Sequence, residues 1–129
     1  MTTKTAAEDQ KQILVIDDDI TSLDIVSFLF EERGYHVERC ADGFAAIEFT
    51  KNSTPDLIIV DLMMPQINGA ETVRNIRSLG LLDVPIIAFT AVDEPELHRE
   101  AELAGCNTIL TKPCRPEKLL KHIKEYLPG

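Results

Sequence analysis

The chain has 129 residues, of which 44% are hydrophobic and 27% charged, the profile of a single globular domain. Its net charge of −9, without any basic cluster, argues against direct binding to nucleic acid or to an anionic membrane. No apolar run approaches the roughly 20 residues of a membrane span, and the start of the chain lacks the apolar core of a secretory signal peptide. We expect a cytoplasmic protein with a flexible N-terminal tail over residues 1–10 and one domain over residues 11–129.

The first predicted element is a strand. Ile13–Ile16 is a short apolar run that ends at Asp17-Asp18-Asp19, the pattern of a buried strand that leads into an acidic loop. Leu23 and Phe30 belong to an apolar series at helical spacing, which predicts a helix that Gly34 ends. Asp19 or Thr21 is expected to cap this helix.

A second strand is predicted at Tyr35–Cys40, although its apolar alternation is weak. The Asp42-Gly43 pair then opens a second helix, which Thr54-Pro55 ends. The third strand, Leu57–Val60, is the most strand-like run in the chain and ends at Asp61.

The second half of the chain continues the alternation. A loop through Met64-Pro65 to Gly69 precedes a third helix that carries Val73 and Ile76, and a fourth strand is predicted at Pro85–Phe89. Pro95 suits the first turn of a fourth helix, which Gly105 closes. A short fifth strand and an amphipathic fifth helix follow, at Thr108–Thr111 and at the apolar positions Leu119, Leu120, Ile123 and Leu127.

Strands that alternate with helices predict an α/β fold with a parallel sheet covered on both faces. Asp17, Asp61 and Thr90 stand at the ends of predicted strands, and Lys112 follows the last strand. Because ligands of open parallel sheets bind outside the carboxyl ends of the strands, we expect these four side chains to share one site.

The residue types in this predicted site favour phosphoryl chemistry. The carboxylates of Asp17, Asp18 and Asp61 would repel one another, and a hard divalent cation such as Mg²⁺ relieves that repulsion. A carboxylate can itself act as the nucleophile that forms an aspartyl-phosphate. The cation, the Lys112 ammonium group and the Thr90 hydroxyl could then each contact one oxygen of the transferred group.

Four motifs, in order, resemble the receiver domain of two-component response regulators. They are Ile13-Leu14-Val15-Ile16-Asp17-Asp18, Asp61-Leu62-Met63-Met64-Pro65 with Gly69, Thr90-Ala91, and Lys112-Pro113. The resemblance covers about residues 12–127. It implies a flavodoxin-like, doubly wound sheet of five strands in the order 2-1-3-4-5 with five helices. It also implies a phosphoacceptor regulator that catalyses only its own phosphorylation and slow autodephosphorylation, not an enzyme that turns over a separate substrate.

The resemblance implies a role for each matching residue. Asp61 would be the phosphoacceptor, Thr90 the switch hydroxyl next to Ala91, Lys112 the partner of the phosphoryl group, and Pro113 a cis-proline. The ligands of Mg²⁺ or Mn²⁺ would be Asp17, Asp18, Asp61 and the backbone carbonyl of Met63. The implied donor is a histidine kinase or a histidine phosphotransfer protein, and the implied output face comprises the fourth helix, fifth strand and fifth helix.

Three of the positions at which the sequence departs from the family pattern bear on output and on the lifetime of the phosphoryl group. Ile109 stands where the family often has an aromatic switch residue, so we expect output to depend on backbone shifts between Thr90 and Leu97 and in the last strand. Met63 and Val92 stand where the family tunes the lifetime of the phosphoryl group, and neither side chain can orient an attacking water molecule. A long-lived phosphoryl group is therefore predicted.

Other functions remain open at the sequence level. The segment Asp17-Asp18-Asp19-Ile20-Thr21 also resembles the motif of haloacid-dehalogenase-type phosphatases, with Asp17 as nucleophile and Asp19 as general acid. A phosphorylation-independent interaction module of the same fold is another alternative. A flavin-binding protein is less favoured, because no glycine-rich phosphate loop follows the first strand.

The cysteines predict no disulfide framework. Cys40, Cys106 and Cys114 form no C-x-x-C pair and are odd in number, so they are interpreted as reduced, small apolar residues.

Overall fold

The computed structural model describes residues 10–128, which form one five-stranded parallel sheet with helices on both faces. The strand order is β2-β1-β3-β4-β5, as the family resemblance predicted. The strands are β1 (Gln12–Ile16), β2 (His36–Cys40), β3 (Leu57–Val60), β4 (Ile86–Thr90) and β5 (Thr108–Thr111). The helices are α1 (Ile20–Glu31), α2 (Gly43–Asn52), α3 (Gly69–Ser78), α4 (Pro95–Ala104) and α5 (Pro116–Tyr126).

The sheet separates two hydrophobic layers. In β1, Leu14 and Ile16 pack into one layer while Ile13 and Val15 pack into the other, because successive side chains of a strand point to opposite faces. Helices α2, α3 and α4 cover the first layer, and helices α1 and α5 cover the second. The inner strands β3 and β4 are buried at every position, which explains why they appear in the sequence as continuous apolar runs.

Three of the helices begin with a side-chain cap. Asp19 caps α1 by accepting from the Thr21 N–H, and Asp42 caps α2 by accepting from the Ala45 N–H. Asn68 and Glu71 form a reciprocal capping box at the start of α3. Of the two caps predicted for α1, Asp19 is the one observed. Each of the three caps determines where a loop at the carboxyl edge of the sheet ends and a helix begins.

An arginine ties together the loops at the opposite edge of the sheet. One terminal nitrogen of Arg77 donates to the carbonyls of Leu81 and Val84, each at 2.7 Å. The other donates to the Gly105 carbonyl at 2.7 Å and to Asn107 Oδ1 at 3.1 Å. Burial lowers the pKa of this guanidinium, although nearby Cys106 and Asp83 act in the opposite direction. The end of α3 is thereby fastened to the end of α4.

The predicted elements agree with the structure to within a residue or two at their ends. The second strand begins at His36 and not at Tyr35, and the fourth includes Thr90 and excludes Pro85. The prediction of a flexible tail falls on residues 1–10, of which residues 1–9 lie outside the described part. No helix among residues 10–128 is long and apolar enough to cross a membrane.

Candidate functional site

The site lies at the carboxyl edge of the sheet, where backbone bonds bring two strand ends side by side. The Asp17 N–H donates to the Cys40 carbonyl at 3.1 Å, and the Asp61 N–H donates to the Ile16 carbonyl at 3.0 Å. These bonds continue the parallel ladder one residue beyond β1 and β3. The ladder therefore holds the two aspartates next to each other, as their positions at the strand ends predicted.

Asp17, Asp18 and Asp61 form a cluster of carboxylates. One oxygen from each lies within 4.8 Å of the other two. Asp17 is buried, Asp61 is half-buried and Asp18 is exposed, so the cluster is open to solvent on one side. This spacing fits an octahedral Mg²⁺ ion, whose oxygen ligands lie at about 2.0–2.1 Å and which usually keeps several waters. Mn²⁺ also suits carboxylate ligands.

Lys112 is the cation that faces this cluster. Its Nζ donates to Asp17 Oδ2 at 2.8 Å and lies 3.4 Å from Asp61 Oδ2. Burial disfavours the charge on this ammonium group, but the hydrogen bond to Asp17 and the negative charge of Asp61 outweigh it and raise the pKa of Lys112 above its usual value. Lys112 therefore remains charged and joins the two strand-end carboxylates.

The backbone around Lys112 directs its side chain into the site. The Lys112 N–H donates to the Thr90 carbonyl at 2.8 Å, and the Lys112–Pro113 peptide bond is cis, as predicted. The Phe89 ring lies under the side chain, with its centroid 5.3 Å from Nζ. The sequence predicts Phe89 as a strand residue but carries no signal of its contact with Lys112, which is far away along the chain.

The loops that follow β1 and β3 orient the carboxylates. The Asp19 N–H donates to Asp17 Oδ1 at 2.9 Å, and the Met63 N–H donates to Asp61 Oδ1 at 3.1 Å. One oxygen of each aspartate is thus held by its own loop, while the other faces Lys112. Met63 itself is 54% exposed, so its side chain does not pack in the core.

Gly69 allows the loop after β3 to fold back onto the site. Its N–H donates to the Leu62 carbonyl at 3.0 Å. A Cβ atom added here would lie 2.3 Å from the Asp61 carbonyl oxygen and 2.6 Å from the Leu62 Cα. The glycine predicted to start or precede the third helix is therefore its first residue, and only a residue without a side chain fits there.

Thr90 ends β4 and is fully buried. Its Oγ1 accepts a hydrogen bond from the Val92 N–H at 3.3 Å, and the next residue, Ala91, is exposed. Ile109 lies on the adjacent strand β5, paired with Ala88, and its partly buried side chain packs against the core layer under α2, α3 and α4. The switch position is therefore occupied by a packed aliphatic side chain.

A mostly apolar groove lies beside Lys112, between α1 and the chain that follows β5. Its volume is about 300 Å³. It is lined by Ser22, Ile25, Val26, Phe89, Lys112, Pro113 and Cys114. Ile25 is 63% exposed, as is Phe28 three residues further along α1. This groove could not be predicted from the sequence, because α1 and the loop after β5 are far apart in the chain.

Comparison with known proteins agrees with this site. The model of the response regulator receiver domain family matches residues 13–124. The response regulator MprA of Mycobacterium sp. (strain KMS) is 35% identical over 116 residues, which are 90% of this chain and 50% of that protein. The chain thus spans about half the length of the MprA relatives that it matches.

Solved structures show the same fold. Chemotaxis protein CheY4 of Vibrio cholerae has a TM-score of 0.86 and 33% sequence identity, covering 91% of this chain and 98% of that one. The receiver domain of sensor histidine kinase PA1611 from Pseudomonas aeruginosa PAO1 has a TM-score of 0.84 and 27% identity, covering 93% of this chain and 99% of that one. That structure has a magnesium ion coordinated in its active site cleft. Sequence, topology and the acidic strand-end site agree, and the chain belongs to the family of response regulator receiver domains.

Proposed function

We propose that Asp61 is the residue through which this receiver domain accepts a phosphoryl group in a two-component relay. The observation that carries the proposal is the position of Lys112, whose Nζ donates to Asp17 Oδ2 at 2.8 Å and lies 3.4 Å from Asp61 Oδ2. A charged ammonium group at that position can neutralise a phosphoryl oxygen on Asp61. The adjacent carboxylates of Asp17 and Asp18 supply oxygen ligands for a divalent cation.

The proposed reaction is an in-line displacement. An oxygen of the Asp61 carboxylate attacks phosphorus, the bond from phosphorus to the imidazole nitrogen of a phosphohistidine breaks, and the electron pair leaves with the imidazole. The product is an acyl phosphate on Asp61. Lys112 holds one phosphoryl oxygen, and the Thr90 hydroxyl turns from the Val92 N–H to donate to another.

Mg²⁺ or Mn²⁺, when bound, supplies positive charge that stabilises the phosphoryl oxygens during transfer. Asp17, Asp18 and Asp61 would hold the ion, because their oxygens lie within 4.8 Å of one another. The Met63 carbonyl is a further proposed ligand. The Asp19 and Met63 N–H groups donate to the carboxylates of Asp17 and Asp61 and orient them. This orientation supports the proposal that the two carboxylates bind the ion.

The proposed donor is a histidine kinase or a histidine phosphotransfer protein. We propose that a protein delivering phosphohistidine to Asp61 also lies over the groove beside Lys112, because Lys112 lines that groove and contacts Asp61. The exposed side chains of Ile25 and Phe28 give that face the apolar anchors typical of a protein interface. We assign output to the face formed by α4, β5 and α5, where Leu103 is 79% exposed.

The test is labelling with acetyl phosphate and Mg²⁺, followed by peptide mapping. We expect the phosphoryl group on the peptide that contains Asp61, and we expect Asp61→Asn to abolish it. Asp83→Asn, at an exposed position on the loop before β4, is the matched control and should label like the wild type. Label on Asp17 with turnover of added phosphomonoesters would instead support the haloacid-dehalogenase-type alternative, and no label at all would favour the interaction module.

The same experiment tests whether the protein acts as a catalyst for other molecules. We infer that it catalyses only its own phosphorylation and slow autodephosphorylation. Phosphate release should therefore follow the slow decay of labelled Asp61, and should not rise when phosphorylated small molecules other than the donor are added.

A further inference from the structure

Helix α4 begins differently from the three helices that precede it. Its N-cap residue, Glu94, makes no side-chain capping bond, and Pro95 at the first helical position has no N–H to donate. By contrast, Asp19, Asp42 and Asn68 cap α1, α2 and α3 with their side chains. The first turn of α4 therefore lacks the contact that fixes the start of each earlier helix.

His98 supplies a different attachment for this turn. Its Nε2 lies 2.9 Å from the Val92 carbonyl oxygen, in the loop between β4 and α4. A carbonyl only accepts, so Nε2 carries the hydrogen and donates. The His98 side chain is only 23% exposed, which keeps solvent from competing freely for the bond. The Asp93 carboxylate lies 4.0 Å from the same nitrogen but is 83% exposed, so it contributes little.

The residue that accepts from His98 is also bonded to Thr90. The Val92 N–H donates to Thr90 Oγ1 at 3.3 Å, while the Val92 carbonyl accepts from His98. One residue thus links the buried hydroxyl at the end of β4 to the first turn of α4. No other side-chain hydrogen bond within residues 10–128 joins the loop between β4 and α4 to that helix.

We propose that His98 is a positioning residue that couples the state of the Thr90 hydroxyl to the N-terminal turn of α4. This inference rests on the proposed function, in which Thr90 turns toward a phosphoryl group on Asp61. The Val92 N–H then loses its acceptor, the loop moves, and the His98 bond breaks. The first turn of α4 is released as a result.

The opposite end of α4 restricts the change to this turn. Arg77 donates to the Gly105 carbonyl at 2.7 Å and so fastens the C-terminal end of α4 to the core. Ile109 has no ring that could rotate and so cannot act as an aromatic switch. The bonds of Val92 to Thr90 and His98 therefore provide the proposed connection from the site to the face formed by α4, β5 and α5. Release at the first turn would alter that face without displacing the whole helix.

The test measures amide hydrogen exchange in residues 96–100, expressed as protection factors, with and without acetyl phosphate and Mg²⁺. His98→Phe keeps a ring but has no donor, and His98→Gln keeps an N–H donor. His122→Phe, on α5, is the matched control. Phosphorylation of Asp61 is quantified separately by intact mass, so that failure of the site and failure of the coupling are distinguishable.

In wild type we expect protection of this turn to fall about five-fold on phosphorylation, the size of one lost hydrogen bond. His98→Phe should show the lowered protection already in the unmodified protein and little further change, although its Asp61 is phosphorylated. His98→Gln and His122→Phe should behave like wild type. Equal protection in unmodified His98→Phe and wild type would overturn the proposal, whether or not Asp61 accepts a phosphoryl group.

A double-mutant cycle gives an independent measurement. Thr90→Val removes the hydroxyl that accepts from Val92 and should lower protection of the α4 turn in the unmodified protein. If the two residues act through one connection, adding His98→Phe should cause little further loss. Fully additive losses would contradict the coupling. If His98→Phe does not fold, His98→Ala is the second variant without a donor.

Discussion

At the residue scale, the site carries more negative than positive charge. Asp17, Asp18 and Asp61 hold their oxygens within 4.8 Å of one another, and among residues 10–128 Lys112 is the one cation in hydrogen-bond contact with the group. Lys112 contacts Asp17 and Asp61 but not Asp18. We therefore expect repulsion between Asp18 and its neighbouring carboxylates to be relieved when a divalent cation binds.

We predict that Asp18→Asn stabilises the metal-free protein by roughly 0.5–1 kcal/mol, because it removes a repelling charge from a solvent-exposed position. The same substitution should remove most of the stabilisation by Mg²⁺, which for wild type is about 1.4 kcal/mol at ten times the dissociation constant. Urea unfolding with Mg²⁺ and with EDTA measures both effects. Asp83→Asn serves as control, and an unchanged response to Mg²⁺ in Asp18→Asn would exclude Asp18 as a ligand.

Met63 should determine how long the phosphoryl group persists. Its side chain is 54% exposed, follows Asp61 by two residues and has no group that could orient an attacking water molecule. We predict that phosphorylated wild type outlasts the Met63→Asn variant several-fold, and that the wild-type group survives far longer than a few seconds at neutral pH. Decay measured by phosphate-affinity electrophoresis tests this. Met63→Leu, which is equally apolar, should decay like wild type.

The sequence predicted which side chains would lie together at the edge of the sheet better than it predicted the contacts around them. Asp17, Asp61 and Lys112 were predictable because each stands at or just after the end of a strand, where a parallel sheet gathers ligands. Phe89 beneath Lys112 and the bond between His98 and Val92 were not predictable. Those contacts depend on side-chain directions and loop paths, which spacing along the chain does not determine.

At the element scale, helix α3 starts directly against the end of β3. The Gly69 N–H donates to the Leu62 carbonyl, and a Cβ atom at Gly69 would lie 2.3 Å from the Asp61 carbonyl oxygen. The contact is between two stretches of backbone, which cannot move aside as a flexible side chain can. The junction between loop and helix therefore lies against the backbone of Asp61, the proposed phosphoacceptor.

We predict that Gly69→Ala destabilises the protein by about 2–3 kcal/mol and lowers the rate of labelling by acetyl phosphate, because α3 must shift away from Asp61. Gly80→Ala is the comparison. That position has a φ of 102° but open space around it, so only backbone strain applies, at a cost of about 1–2 kcal/mol. Gly80→Ala should lower stability without altering labelling. Equal labelling by Gly69→Ala and wild type would contradict the prediction.

Element types were easier to predict than the connections between elements. The third strand begins and ends where it was predicted, at Leu57 and Val60. An apolar run bounded by polar residues leaves little choice of where a strand begins and ends. His36–Cys40 was harder, since β2 lies at the sheet edge and its exposed and buried positions do not alternate regularly. The contacts of Arg77 could not be predicted from the sequence, because its acceptors are mostly backbone carbonyls of two loops, one after α3 and one after α4.

At the scale of the whole molecule, alternating elements predicted a parallel sheet with two covered faces, and the structure has both. The order β2-β1-β3-β4-β5 was not derivable from that pattern, because several right-handed arrangements place helices on both faces. It came from the family resemblance. Once the order is given, β1 and β3 are neighbours, and the acidic residues that follow them must meet.

One of the two hydrophobic layers also influences how stability depends on pH, because it contains two buried thiols. Cys40 and Cys106 are buried in the layer under α2, α3 and α4. Burial, and then the charges of Asp42 and Glu38, raise the pKa of Cys40 to about 11. Burial raises the pKa of Cys106 to about 12, although Arg77 opposes the shift. Both thiols therefore stay protonated in the folded state at pH values where an unfolded chain, with a thiol pKa of 9.0, releases its protons.

A thiol whose pKa is higher in the folded state contributes stability that is complete below the unfolded pKa and is lost as the pH rises toward the folded value. Between pH 8 and pH 10 we predict a loss of about 2–3 kcal/mol from the two thiols together. Urea unfolding of Cys40→Ala/Cys106→Ala at each pH measures it. The other titrating groups affect the unfolding free energy of both proteins equally, so their contributions cancel in the difference. Only the wild type has the two thiols and loses their contribution, so the difference in unfolding free energy between wild type and variant should narrow as the pH rises. A difference that stays constant from pH 8 to pH 10 would show that the core does not hold these thiols in their neutral form.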